Sequence, residues 1–135
     1  PFIREDGLVM YVQGSSQTYR ATQATSGFNA PTLVTELQVS NVAQGFPTVT
    51  ADDLVIYYES VRTDVSQGGE DIWVATRATT SDPFGNLHNV TELNTARDDK
   101  PTFITRDRCT LYFERRSIDD AGVAKQEIWV ATKTP

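Results

Sequence analysis

One cysteine, one histidine and one methionine stand in 135 residues, and each scarcity removes a class of chemistry. Cys109 alone cannot close a disulfide within the chain, complete a multi-cysteine zinc site or serve as a redox pair. His88 alone cannot assemble a multi-histidine metal centre. Basic residues are also the minority: 12 Lys and Arg against 18 Asp and Glu leave a net charge of −6, without the positive footprint through which proteins meet nucleic acid or an anionic membrane. No apolar run approaches the roughly 20 residues that span a bilayer. The opening Pro1-Phe2-Ile3-Arg4 lacks the basic and apolar regions of a signal peptide. Nucleophile motifs, metal-ligand spacings and phosphate-cradling loops are missing too; Gly68-Gly69 has no helix after it and reads as a hairpin tip. With 39% hydrophobic and 22% charged residues, the chain has the composition and length of one globular domain.

What is present is repetition. Glu70-Asp71-Ile72-Trp73-Val74-Ala75-Thr76-Arg77 returns 56 residues later as Gln126-Glu127-Ile128-Trp129-Val130-Ala131-Thr132-Lys133, taking in both tryptophans of the chain. A fainter copy, Gln17-Thr18-Tyr19-Arg20-Ala21-Thr22-Gln23, puts Tyr19 where Trp73 and Trp129 stand; both ring types are large with one polar handle. Each copy alternates with a period of two, as a strand does, and neither face is fully polar, so cover on both sides is expected.

The repeat extends upstream. Pro1, Pro47 and Pro101 open the copies and short apolar segments follow. Next come turns at Glu5-Asp6-Gly7, Ala51-Asp52-Asp53 and Arg106-Asp107-Arg108, where Asp6, Asp52 and Asp107 share one position suited to accepting turn hydrogen bonds. Aromatic strands run from Leu8 to Val12, Leu54 to Tyr58 and Cys109 to Phe113, closed by Gln13, Glu59 and Glu114. Because Cys109 replaces Leu8 and Leu54, it reads as a small buried hydrophobe. Connections of differing length precede the Trp strands, as surface hairpins do. A fourth strand is expected at Leu33-Val34-Thr35-Glu36-Leu37 and Asn89-Val90-Thr91-Glu92-Leu93, with His88 in the loop before it.

Four short strands in units of 46 to 56 residues, with no helical period, predict an all-β chain of β-propeller blades at about 1–46, 47–100 and 101–135. Two blades are complete and the third has three strands. The Pro-x-apolar opening, the Asp turn, the aromatic strand and the acidic-Ile-Trp-Val-Ala-Thr-basic strand resemble the propeller repeat of the TolB type, related to the WD repeat. The Asp-Gly of that pattern survives in Asp6-Gly7 and is altered at Asp52-Asp53 and Asp107-Arg108. The resemblance implies a bacterial periplasmic or secreted setting and a six- to eight-bladed ring of which this chain is an arc. Its partners would be the remaining blades, from the same longer chain or another subunit, filling the open faces and the free edge of the third blade.

Candidate chemistry is thin. Asp98 and Asp99, before Lys100-Pro101, could bind a hard cation or act as acid and base, although acids in a loop are usually solvated. Glu59 and Glu114 have Arg62, Arg115 and Arg116 close in sequence and could form inter-blade ion pairs. No catalytic or cofactor-binding residue and no cofactor is identified. The sequence therefore points to a non-enzymatic scaffold for a protein or cell-envelope ligand; the alternative is a propeller enzyme of glycan hydrolase or lyase type, or a propeller attached to a peptidase. Trp73 and Trp129 are expected at equivalent positions, both buried between blades.

Overall fold

Each repeat folds around the same turn, and the turn explains why Asp recurs. The backbone N–H of Leu8 donates to Asp6 at 2.9 Å, that of Leu54 to Asp52 at 3.3 Å and that of Cys109 to Asp107 at 3.0 Å. Arg4, Thr50 and Thr105 donate to the same carboxylates from their side chains. The next residue is left-handed in all three turns: φ is 73° at Gly7, 61° at Asp53 and 62° at Arg108. Glycine adopts that region freely and other residues at some cost. The carboxyls of Asp6 and Asp107 lie below the ordinary range, the first chiefly through Arg4 and the second through Thr105.

From these turns a computed structural model, describing residues 1–133, builds three antiparallel sheets of four, four and three strands. The first contains β1 (Phe2–Ile3), β2 (Val9–Gly14), β3 (Gln17–Thr22) and β4 (Thr32–Leu33). The second holds β5 (Gln44–Val49), β6 (Val55–Ser60), β7 (Asp71–Thr76) and β8 (Gly85–Asn89), and the third β9 (Asp99–Ile104), β10 (Thr110–Ile118) and β11 (Ala124–Thr132). In each sheet neighbouring strands follow chain order, so every sheet is a meander and the chain is all-β, with the arrangement of propeller blades. Pro47 and Pro101 lie inside the innermost strands β5 and β9 and are buried.

Register makes the repeat physical. Val12 pairs with Tyr19, Tyr58 with Trp73, and Phe113 with Trp129, so the three rings occupy one position. The blades stack face to face: β5 packs on β2 and β3, and β9 on β5, β6 and β7. Between the first two blades, Tyr11, Val34 and Leu37 meet Ile56, Tyr58 and Trp73. Between the second and third, Ile72, Val74 and Val90 meet Phe113. Each buried Leu, Ile or Phe side chain stabilises by roughly 1.5–3 kcal/mol.

Four expectations are corrected. Trp73 is 2% exposed but Trp129 is 45% exposed; the positions match, yet among the described residues no fourth strand pairs with β11 as β8 pairs with β7. Val34-Thr35-Glu36-Leu37 and Val90-Thr91-Glu92-Leu93 are turns rather than strands. In both the Leu N–H returns to the Val carbonyl, at 3.3 Å and 3.0 Å, while the Val N–H reaches Thr18 or Ile72 at 2.9 Å and 3.0 Å. The fourth strands precede them as β4 and β8, so His88 lies in β8 itself, exposed, with its Nδ1 2.9 Å from the Asn86 carbonyl. Cys109 is half-buried, as is Leu54, while Leu8 is exposed; the position sits at a turn on the rim, beyond the cover of a neighbouring blade.

Candidate functional site

Asp98 and Asp99 lie where the chain enters β9, and the structure gives them separate partners. Asp99 is fully buried and accepts from Arg115 Nε at 2.6 Å, from Thr95 N–H at 2.8 Å and from Thr95 Oγ1 at 2.9 Å. Asp98 pairs with Arg116 at 3.3 Å. Arg115 also donates from Nη2 to the Leu93 carbonyl at 2.6 Å. This is the counterpart of the preceding blade, where Gln44 Nε2 donates to the Leu37 carbonyl. The backbone agrees, since Gln44 N–H reaches Ser16 and Asp99 N–H reaches Glu70 at the same place in successive blades. Asp99 and Arg115 together thus cap a turn that Gln44 caps alone. Among the described residues no three His, Cys, Asp or Glu side chains are placed to hold a metal ion.

The expected pairing of Glu59 and Glu114 with the nearby arginines does not form. Arg62 turns to Asp64 at 3.0 Å and lies over the Trp73 ring at 4.2 Å, and Arg115 and Arg116 are taken by Asp99 and Asp98. Glu59 is instead buried against the third blade. Burial, with Glu70 and Asp98 adding like charge and Lys100 opposing them, pushes its carboxyl up to about 7. Near it, between the second and third blades, opens a polar cleft of about 480 Å³ with Glu70, Asp98, Lys100, Glu114 and Arg116 in its wall, which Glu59 itself does not line. Lys100 bridges to Glu70 at 2.6 Å. Three carboxylates against two cations leave this wall acidic. Nothing in the repeat signals Glu59 as a buried group, and its equivalent in the first blade, Gln13, is exposed.

On the opposite rim, Asp53 is the charged centre that sequence reading missed. It has no exposed surface, accepts from the Tyr11 hydroxyl at 2.7 Å and pairs with Arg77 at 2.8 Å, with Arg4 and Arg20 at 3.5 and 3.6 Å. Burial first, and the Asp53 carboxylate second, raise the Tyr11 hydroxyl well above its ordinary value. In the third blade the same turn position carries Arg108, which reaches back to Asp52. In the second and third blades the residue after the turn Asp therefore binds its blade to the one before. The available signal was a charged residue at the position where Gly7 stands.

A 3.6 Å pair between Arg106 and Glu5 brings turns of the third and first blades together. No described helix is long and apolar enough to cross a membrane. Comparison of the chain with protein-family models, with curated proteins and with solved structures finds no match.

Proposed function

We propose that this chain is an arc of a β-propeller that works as a rigid binding scaffold, with a protein or cell-envelope ligand engaged on the rim where the 480 Å³ cleft opens. The observation that carries the reading is the division of labour among the charged groups. Asp53, Asp99 and Arg115 are consumed in holding blade to blade or capping turns, whereas Glu70, Asp98, Lys100, Glu114 and Arg116 line an open polar recess. Variable connections on this rim, two residues at Ser15-Ser16 and longer at 61–70, suit recognition loops on a constant frame. The resemblance to the TolB-type repeat supports the bacterial envelope or secreted setting and the further blades, from the same longer chain or another subunit. Enzymatic chemistry is the weaker reading because Glu59, whose carboxyl burial pushes up to about 7, is only 3% exposed and offers almost no surface to a substrate.

The test pairs binding with turnover. The chain should retain an envelope protein or peptidoglycan fragment and lose it in Glu70→Lys/Glu114→Lys, without turnover of chromogenic glycosides. Hydrolysis or elimination of a glycan, lost in Glu70→Gln, would replace the scaffold reading with the glycan-cleaving one.

A further inference from the structure

The interface between blades is built twice within the chain, and each half of it is also present once more, uncovered. One half is the forward face of a blade, formed in the second by Val49, Ile56, Tyr58 and Trp73, all buried, and in the third by Ile104, Leu111 and Phe113, buried, and Trp129, 45% exposed. The register-equivalent face of the first blade is Ile3, Met10, Val12 and Tyr19. It is apolar at every position, with Ile3 51% exposed and the other three half-buried.

The other half is the rear face. In the second blade it includes Thr48, Tyr57, Ile72 and Val74, and the third blade covers it. In the third blade the same positions are Phe103, Tyr112, Ile128 and Val130, all four exposed, Ile128 at 64% and Val130 at 52%. Thr48 has become Phe103, so this face is more apolar than the one already covered. An exposed apolar surface of this kind marks an association site.

We propose that two copies of this 135-residue chain associate head to tail, the rear face of each third blade docking on the forward face of the other copy's first blade, to close a six-bladed ring. The occupant is a second copy because the forward face of this same chain presents the surface that rear faces cover inside the chain, at the positions of Ile3, Met10 and Val12 in both internal interfaces and at that of Tyr19 in the one that buries Trp73. Propellers close with about four to eight blades, and six is the one multiple of three in that range. Repeating one interface under a rotation that closes gives a ring with a two-fold axis. The proposal deepens the scaffold reading by naming its partner, and it holds or fails independently of what the cleft binds.

Light scattering after size-exclusion, supported by small-angle scattering, tests it on the 135-residue chain. The expected mass is twice 15.0 kDa, with the scattering profile of a compact ring. Ile128→Glu and Ile3→Glu change residues exposed in the single chain, so each should keep its circular dichroism and melt cooperatively while running as a monomer. Mixing the two variants should restore a dimer, because each retains the face that the other has lost. A monomeric parent at high micromolar concentration overturns the proposal. So does a dimer that survives Ile3→Glu, which would be rear face against rear face, or a concentration-dependent series of larger species, which would mean that the rotation does not close.

Discussion

Trp73 and Trp129 sit in the same local sequence and pair with the same register position, Tyr58 in one blade and Phe113 in the next, yet one is 2% exposed and the other 45%. Their flanking residues separate still further: Ile72 and Val74 are buried at 0% and 7%, while Ile128 and Val130 lie open. The shared Ile-Trp-Val-Ala-Thr therefore yields strands in the same register, because alternation and pairing are local properties. Burial follows from the neighbour, which the strand's own residues do not encode.

The largest expected effect tests this contrast directly. Trp73→Ala should cost about 3–5 kcal/mol by emptying the space between the first two blades. Trp129→Ala in the single chain should cost well under half of that, since Arg115, 4.7 Å from its ring centre, remains held by Asp99 and the Leu93 carbonyl. Denaturant melts of the two variants under conditions that keep the chain monomeric measure the difference. Equal losses would mean that Trp129 is covered in solution.

A second contrast sets the two turn latches against each other. Asp53→Asn keeps a residue that tolerates the left-handed backbone, but strips the charge that Arg77, Arg4 and Arg20 share. Removing one partner of a buried charge group costs about 3–5 kcal/mol, and the Asn variant should approach that. Chemical denaturation gives the value, and a loss below about 1 kcal/mol would show that the arginines find water instead.

Much of this comparison was legible in the sequence. Alternation, ring residues and the recurring Asp located the strands, their register equivalence and the turn hydrogen bonds. Val-Thr-Glu-Leu was misread because two β-branched or apolar residues beside a Leu resemble a strand. The decisive information is that the Val N–H is taken by the neighbouring strand while the Leu N–H folds back. Asp53 was not legible as a latch, since its three arginine partners stand 49, 33 and 24 residues away. Asp99 drew notice for its charge, and the structure spends that charge on Arg115 and Thr95.

A third prediction compares Glu59 with Glu114, its half-exposed equivalent. The Glu59 carboxyl moves from an ordinary 4.5 to about 7 in the folded chain. Below about pH 4.5 it is protonated folded or unfolded, whereas between 4.5 and about 7 the folded chain alone keeps the proton. Stability contributed by this group is therefore lost as pH rises through that window, by roughly 3–4 kcal/mol at about 1.4 kcal/mol per unit. Glu59→Gln should flatten that slope and raise the melting temperature at pH 8, while Glu114→Gln should leave the slope in place. An unchanged slope in Glu59→Gln would assign it to another group.

The smallest effect belongs to the outer latch. Arg108 and Asp52 pair across the second and third blades with side chains 45% and 31% exposed, so water and salt screen them as they cannot screen Asp53. Thr50 and the Leu54 N–H also hold the Asp52 carboxylate in its turn without help from Arg108. Arg108→Ala should therefore cost about 0–1 kcal/mol, and the cost should shrink as salt is raised. Because Arg108 is left-handed at 62°, it already carries backbone strain that alanine keeps, and Arg108→Gly separates the two contributions: it relieves the strain and still removes the ion pair. Melts of both variants at low and high salt decide the matter. A salt-dependent loss shared by Ala and Gly measures the latch, whereas a gain in stability on going to Gly would show that the left-handed turn outweighs the pair that Arg108 makes.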